Sequence, residues 1–151
     1  MVTYRELQGE ELPADLDGLV RGSEAEGLRF LKRLRDEWES GANCFRGHGE
    51  VLMLAYHRTT LVGVCGLNRD PFTSEPGVAR LRHLYVARTH RRDGVGTALV
   101  ERCLERARHD FHRIRLRAAS AAAGRFFLAI GFVGSRETDA THTLGLDRGT
   151  R

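Results

Sequence analysis

The chain has 151 residues, with 24 basic and 20 acidic side chains, a net charge of +4 and 41% hydrophobic residues. That length suits one domain, residues 1–151, with a real core and is too short for two. No apolar run is long enough to cross a bilayer, and the opening Met1–Leu12 lacks the charged-then-apolar pattern of a secretion signal, so the expectation is a cytoplasmic protein without a membrane partner. Cys44, Cys65 and Cys103 are odd in number and never spaced as CxxC; reduced thiols are expected, with no disulfide and no metal.

In chain order, "VTYREL" reads as a first strand. Leu28, Leu31, Leu34 and Trp38 recur at helical spacing, and Ser23 with Glu26 has the capping-box pattern, which predicts one helix over 23–38 covering a face of the sheet. "EVLMLAY" and "LVGVCGL", joined by "HRTT", predict a hairpin of two buried strands. "NRDPFTSEPG" holds two of the three prolines and is a loop. "VARLRHLYV" is the next strand. The helix that follows places Val95, Leu99, Cys103, Leu104, Ala107 and Phe111 on one side, and Glu101, Glu105 and Arg108 on another. "RIRLRA" alternates Ile114 and Leu116 with Arg113, Arg115 and Arg117, the period of a half-exposed strand. A helix with Phe126, Phe127 and Ile130, closed by Gly131, and the short strands "FVGS" and "THTLGL" complete the pattern. Six or seven strands with about four helices give an α/β or α+β fold around one mixed sheet.

Charge concentrates at one place. Arg80, Arg82, Arg88, Arg91 and Arg92 lie within thirteen residues that hold no acid, a compact positive field suited to a phosphate-bearing ligand. The run ends in Arg91-Arg92-Asp93-Gly94-Val95-Gly96 at the start of a helix. A helix N-terminus offers free N–H groups and a positive dipole end, and Gly94 and Gly96 let backbone approach a pyrophosphate closely. The P-loop pattern needs a lysine that is absent, and the dinucleotide fingerprint needs a small residue where Leu99 stands. RxxGxG is the pattern that fits.

Together, "LYVARTHRRDGVGTALVERCLERA" and, about thirty residues on, "AAAGRFFLAIGF" resemble the GNAT superfamily of acyl-CoA-dependent N-acetyltransferases. The resemblance implies a central sheet splayed between its fourth and fifth strands. It implies acetyl-CoA as acetyl donor, its pyrophosphate held by Arg91, Arg92, Gly94, Val95, Gly96 and Thr97. It also places Leu84, Tyr85 and Val86 beside the pantetheine arm, with a bulge directing one backbone N–H, from Val86 or a neighbour, at the oxyanion. Ser120, Phe126 and Phe127 fall on the cofactor side. Phe127 stands where the family often has a proton-donating tyrosine, and Ser120 where an asparagine is common.

The implied activity is transfer of the acetyl group to a primary amine by direct attack, the acceptor being a small molecule or a peptide. Nucleic acid is not expected as a partner, aminoacyl-tRNA excepted; a homodimer is compatible with the resemblance. His83, on the fourth strand, is the first candidate for the base that deprotonates the amine, against the alternative of a buried strand residue bonded to backbone. Glu50 and His142 are further candidates. Glu24, Glu26, Glu137 and Asp139 flank the expected acceptor groove and could favour a cationic amine. His109 and His112 read as a solvated helix end, and Trp38 as a core anchor. Two other readings stay open: a non-catalytic acyl-CoA-binding or sensing module, motivated by Phe127 and Ser120, and a basic nucleic-acid-binding domain, motivated by the arginine cluster.

Overall fold

The computed structural model describes residues 1–9 and 11–146. Its elements are β1 (Val2–Glu6), α1 (Leu16–Ala25), α2 (Phe30–Ser40), β2 (Val51–His57), β3 (Thr60–Arg69), β4 (Val78–Val86), α3 (Val95–Asp110), β5 (Arg113–Leu116), α4 (Ala121–Ile130), β6 (Val133–Gly134) and β7 (His142–Gly145). The strands form one seven-stranded sheet in the order β1-β2-β3-β4-β5-β7-β6. All neighbours are antiparallel except β4 and β5. The mixed sheet with four helices is the predicted architecture, and among the described residues no helix is long and apolar enough to cross a membrane.

Helices cover both faces, which is why β2 and β3 are buried along nearly their whole length and read as continuous apolar runs. On one face α3 and α4 enclose a core that includes Val62, Leu81, Leu99, Cys103, Ile114 and Phe132. On the other, α1 and α2 enclose a second core that includes Leu16, Val20, Leu31, Leu34, Leu54 and Tyr85.

The N-terminal helical region differs from the predicted single helix. Gly27, at φ +80°, breaks it into α1 and α2, and the N–H groups of Glu26 and Leu28 both turn back to the Ser23 carbonyl. Ser23 therefore caps nothing: it is buried inside α1, its hydroxyl donating to the Val20 carbonyl at 2.8 Å. The 31–34–38 spacing described α2 correctly, whereas Leu28 precedes the helix, and Ser23 and Glu26 only imitated a capping box.

The parallel pairing of β4 with β5 is brief. Val78, Ala79 and Arg80 pair with Arg113, Ile114 and Arg115, and β4 then runs on to Val86 with no further pair to β5 among the described residues. The sheet opens there into a V. Its closed end is stitched by an alternating chain of charges: Glu75, Arg113, Glu137, Arg115, Asp70 and Arg80, each within 3.4 Å of the next. Arg115 is 3% exposed and Arg80 5%, so β5 is not the half-exposed strand that its alternation predicted. Asp70 takes both guanidinium groups, and the arginines also donate to the Asp139 and Thr138 carbonyls of the β6–β7 connection.

A bulge in β4 sets the geometry of the open end. Val64 pairs with Tyr85 but Gly66 pairs with Arg82, so His83 and Leu84 together face the single residue Cys65. His83 takes φ +63° to make the bulge. Two successive side chains consequently share a face: Arg82 meets Glu37 of α2, and the His83 ring meets Phe45 in that same core. Beyond the bulge, Leu84 and Val86 pack toward α3 and α4, and Tyr85 toward α1.

Candidate active site

The splay encloses a cleft of about 930 Å³ that crosses the sheet from one face to the other. On the α3/α4 side its wall is the 91–97 loop with Ser120, Phe126 and Phe127; on the α1/α2 side it is Leu28, Phe30, Arg33, Arg82 and His83. All twelve residues expected at the cofactor line this one cavity, as does His83.

The loop forms a cradle of backbone donors. Arg92 and Gly94 both take the left-handed conformation, φ +68° and +80°, and the first bond of α3 runs from the Ala98 N–H to the Gly94 carbonyl. The N–H groups of Val95, Gly96 and Thr97 thus precede the helical ladder, and no side chain caps them. Gly94 is glycine for its angle. At Gly96 a Cβ would stand in ordinary contact, 3.5 Å from Phe126 and 3.7 Å from Val86, so the ring of Phe126 lies directly beside this part of the loop.

Val86 presents backbone to the same gap. The Ala87 N–H donates to the Val62 carbonyl at 2.7 Å, so by antiparallel alternation the N–H and carbonyl of Val86 point away from β3. Its carbonyl accepts from Arg91 Nε at 2.9 Å, and its N–H faces the open V.

Arg91 is held from the far side of the cleft. Its guanidinium grips Glu26 through two bonds of 2.8 and 2.7 Å, and Tyr85 donates its hydroxyl to the same carboxylate at 2.5 Å. Gly22 makes room, since a Cβ there would lie 3.2 Å from the Tyr85 oxygen. The Arg91 and Tyr85 hydrogen bonds hold the Glu26 carboxyl down at about 2. Burial, then the hydrogen bond to Glu26 and its charge, pushes the Tyr85 phenol up to about 12. A carboxyl depressed on folding stabilises above its ordinary value of 4.5, and loses that contribution as pH falls toward 2. With the Glu26 and Arg91 side chains 21% and 37% exposed, water screens the pair. Glu26→Gln is therefore expected to cost about 1–2 kcal/mol at pH 7, with the difference vanishing on acidification, as followed by chemical denaturation at several pH values.

The arginine cluster is not a free basic patch. Arg80 is tied to Asp70, Arg91 to Glu26, and Arg82 lies 3.7 Å from Glu37. Arg88 and Arg92 have no acid within 4 Å among the described residues.

The candidate bases separate. His83 reaches the cleft, 7% exposed, with neither ring nitrogen hydrogen-bonded. Burial, with the charges of Arg82 and Arg33, lowers its pKa to about 3, so the ring is neutral at pH 7. Glu50 does not reach the cleft; its carboxylate accepts from the N–H groups of Gly47 and Arg69. His142 does not either: it packs against Gly124 of α4, with Nδ1 2.8 Å from the Thr141 hydroxyl. Glu137 is taken by Arg113 and Arg115, which leaves Glu26 as the acid on the cleft wall among the described residues. The residue that sequence reasoning missed is Arg33; its place on α2 facing β4 follows only from the α1–α2 break.

Residues 15–132 match the acetyltransferase (GNAT) family. No curated protein sequence matches the chain. Among solved structures, one described as an acetyltransferase from Exiguobacterium sp. 255-15 superposes with a TM-score of 0.84 at 24% identity, over 96% of this chain and 93% of that one. A GNAT-family acetyltransferase from Staphylococcus aureus gives 0.75 at 15% identity, over 97% and 100%. The ribosomal-protein-S18-alanine N-acetyltransferase from Escherichia coli gives 0.67 at 16% identity, over 99% and 97%.

Proposed function

Because the chain belongs to the acetyltransferase (GNAT) family, we propose that it moves an acetyl group from acetyl-CoA to a primary amine by direct attack within a ternary complex. The observation that carries this reading is a cleft with a different chemistry on each side of one strand: uncapped helix N–H groups and a bare Val86 N–H on one, side chains able to take an amine on the other. The residues fit the donor. Val95, Gly96 and Thr97 would bind its pyrophosphate, Arg92 would add charge at the rim, and the ring of Phe126 beside Gly96 would lie along it. Acetyl-CoA supplies an activated acyl carbon as a thioester.

The chain's own contribution is to position and to stabilise charge. The Val86 N–H is the oxyanion donor, a role worth about 3 kcal/mol when the donor is preorganised. Phe127, 6% exposed and stacked edge-on with Phe126 and Phe132, has no proton to give. Ser120 supplies part of what Phe127 lacks. Its oxygen accepts from the Ala123 N–H at 3.1 Å, which leaves its own proton free to face the leaving sulfur at the N-terminus of α4. His83, neutral through the working pH range, accepts a hydrogen bond from the incoming amine and does not titrate with it. His83→Ala should therefore lower kcat/KM by about tenfold and leave the rising limb of the pH–rate profile in place; a limb displaced by the substitution would restore His83 as the titrating base. We place the enzyme in the cytoplasm, where Cys44, Cys65 and Cys103 remain free thiols.

Calorimetry with acetyl-CoA, coenzyme A, ATP and NAD tests the reading at its root. Micromolar binding of the two coenzyme A species alone is expected, followed by thiol release when an acceptor amine is added. A folded protein indifferent to acetyl-CoA would overturn it.

A further inference from the structure

Resting on that reading, we propose that the acceptor is a primary amine that also carries an oxyanion, carboxylate or phosphate, bound by Arg33 and Arg82 on the α1/α2 side of the cleft and by Arg117, which lines the same cleft just after β5. Two arginines of this protein are paired tightly, Arg115 with Asp70 and Arg91 with Glu26, both at 2.7 Å. The three on the acceptor side are different. Arg33 has no acid within 4 Å among the described residues, and Arg82 and Arg117 are held only by looser ion pairs, with Glu37 and Asp139 at 3.7 Å. Positive charge is left over on the wall where the second substrate enters.

Among the described residues, no acid on that wall is free to receive a cation. Glu26 is saturated by Arg91 and Tyr85, so a polyamine would meet like charge. Guanidinium forks match carboxylate and phosphate oxygens in shape as well as sign. The amine end has its own counterpart in His83, whose two unpartnered nitrogens are buried on the same wall. Leu28 and Phe30 supply an apolar stretch between the two ends. The arginine field also disfavours an ammonium, so the amine is held as the free base that attack requires. In the transfer the N–C bond forms as the C–S bond breaks, and the proton lost by the amine ends on the coenzyme A thiolate.

The test uses the intact protein and five amines: leucine and leucinamide, O-phosphoethanolamine and ethanolamine, and spermidine. Acetyl-CoA binding is measured first; its absence would overturn the transferase reading itself. Thiol release is then followed for each amine. The expected result is a preference of about tenfold or more in kcat/KM for the anionic member of at least one pair. The pair that shows it identifies the source as an amino-acid carboxylate or an aminoalkyl phosphate. Arg33 is exposed, so Arg33→Gln folds, and it should reduce that preference below about threefold while the acetyl-CoA affinity stays in the wild-type range. Equal or better use of the neutral amines or spermidine overturns the proposal, as does an acetyl-CoA-binding protein that acetylates none of the five.

Discussion

Asp70→Ala is expected to lower the melting temperature by about 10 °C or more. The Asp70 carboxylate is wholly enclosed, and it is the partner of two arginines that are themselves 3% and 5% exposed. Removing it leaves Arg80 with no acid among the described residues and Arg115 with Glu137 alone at the point where β4 and β5 part, and uncompensated buried charge costs about 3–5 kcal/mol. For a chain of this size that corresponds to the stated shift. Burial by itself would raise the Asp70 pKa; the Arg115 hydrogen bond, the Phe72 N–H and the Arg80 and Arg115 charges outweigh it, and the net direction is down. The stabilisation is thus present above the ordinary carboxyl value near 3.8 and fades below it, so the wild-type and mutant curves should converge in strong acid. Calorimetric melting of Asp70→Ala and of the double variant Asp70→Leu/Arg80→Met separates the two parts of the effect. If the double variant is no more stable than the single, stranded charge is not its cause.

Gly94→Trp is expected to weaken acetyl-CoA binding by at least about a hundredfold while the protein stays folded. At φ +80° a side chain costs about 1–2 kcal/mol, a few degrees of melting temperature. Nothing lies within 4 Å of the position a Cβ would take, so the indole is not expelled by the fold and comes to rest over the three free N–H groups. Gly94→Ala carries the same strain without the bulk and should lose less than about tenfold. Equal loss in both variants, measured by calorimetry, would mean that strain and not blockage is responsible, and intact affinity in the tryptophan variant would remove the cradle from the site.

Much of this was legible in the sequence because the signals were local. Gly94 and Gly96 opening an amphipathic helix, the two apolar runs around "HRTT" and Gly131 ending α4 all depend on neighbours within a few residues. Two of the failures share a cause: each depended on a partner far along the chain. Arg115 looked solvent-facing because alternation counts only the strand's own residues, whereas its inward direction is set by Asp70, 45 residues earlier. Glu26 looked like half of a capping box because its true partner, Arg91, lies 65 residues away. Glu50 and His142 carried suitable chemistry, yet their polar atoms serve a turn and a neighbouring hydroxyl. Of the acids that pointed to a cationic acceptor, Glu26 and Glu137 are held by arginines at close range, pairings that local sequence could not reveal.

The extra residue in β4 has a consequence for how such an enzyme can diverge. Ahead of it, Arg82 faces α2; past it, Leu84 and Val86 face α3. A deletion restoring regular pairing would swap these faces, so the insertion is locked in place by what surrounds it. Within that lock, the donor is met largely by main-chain atoms, which mutation leaves alone. The second substrate, in the proposed complex, is met by the tips of side chains at positions 33, 82, 83 and 117, each of which can be exchanged singly. Selection can therefore rewrite what is acetylated one codon at a time without renegotiating the means of acetylation.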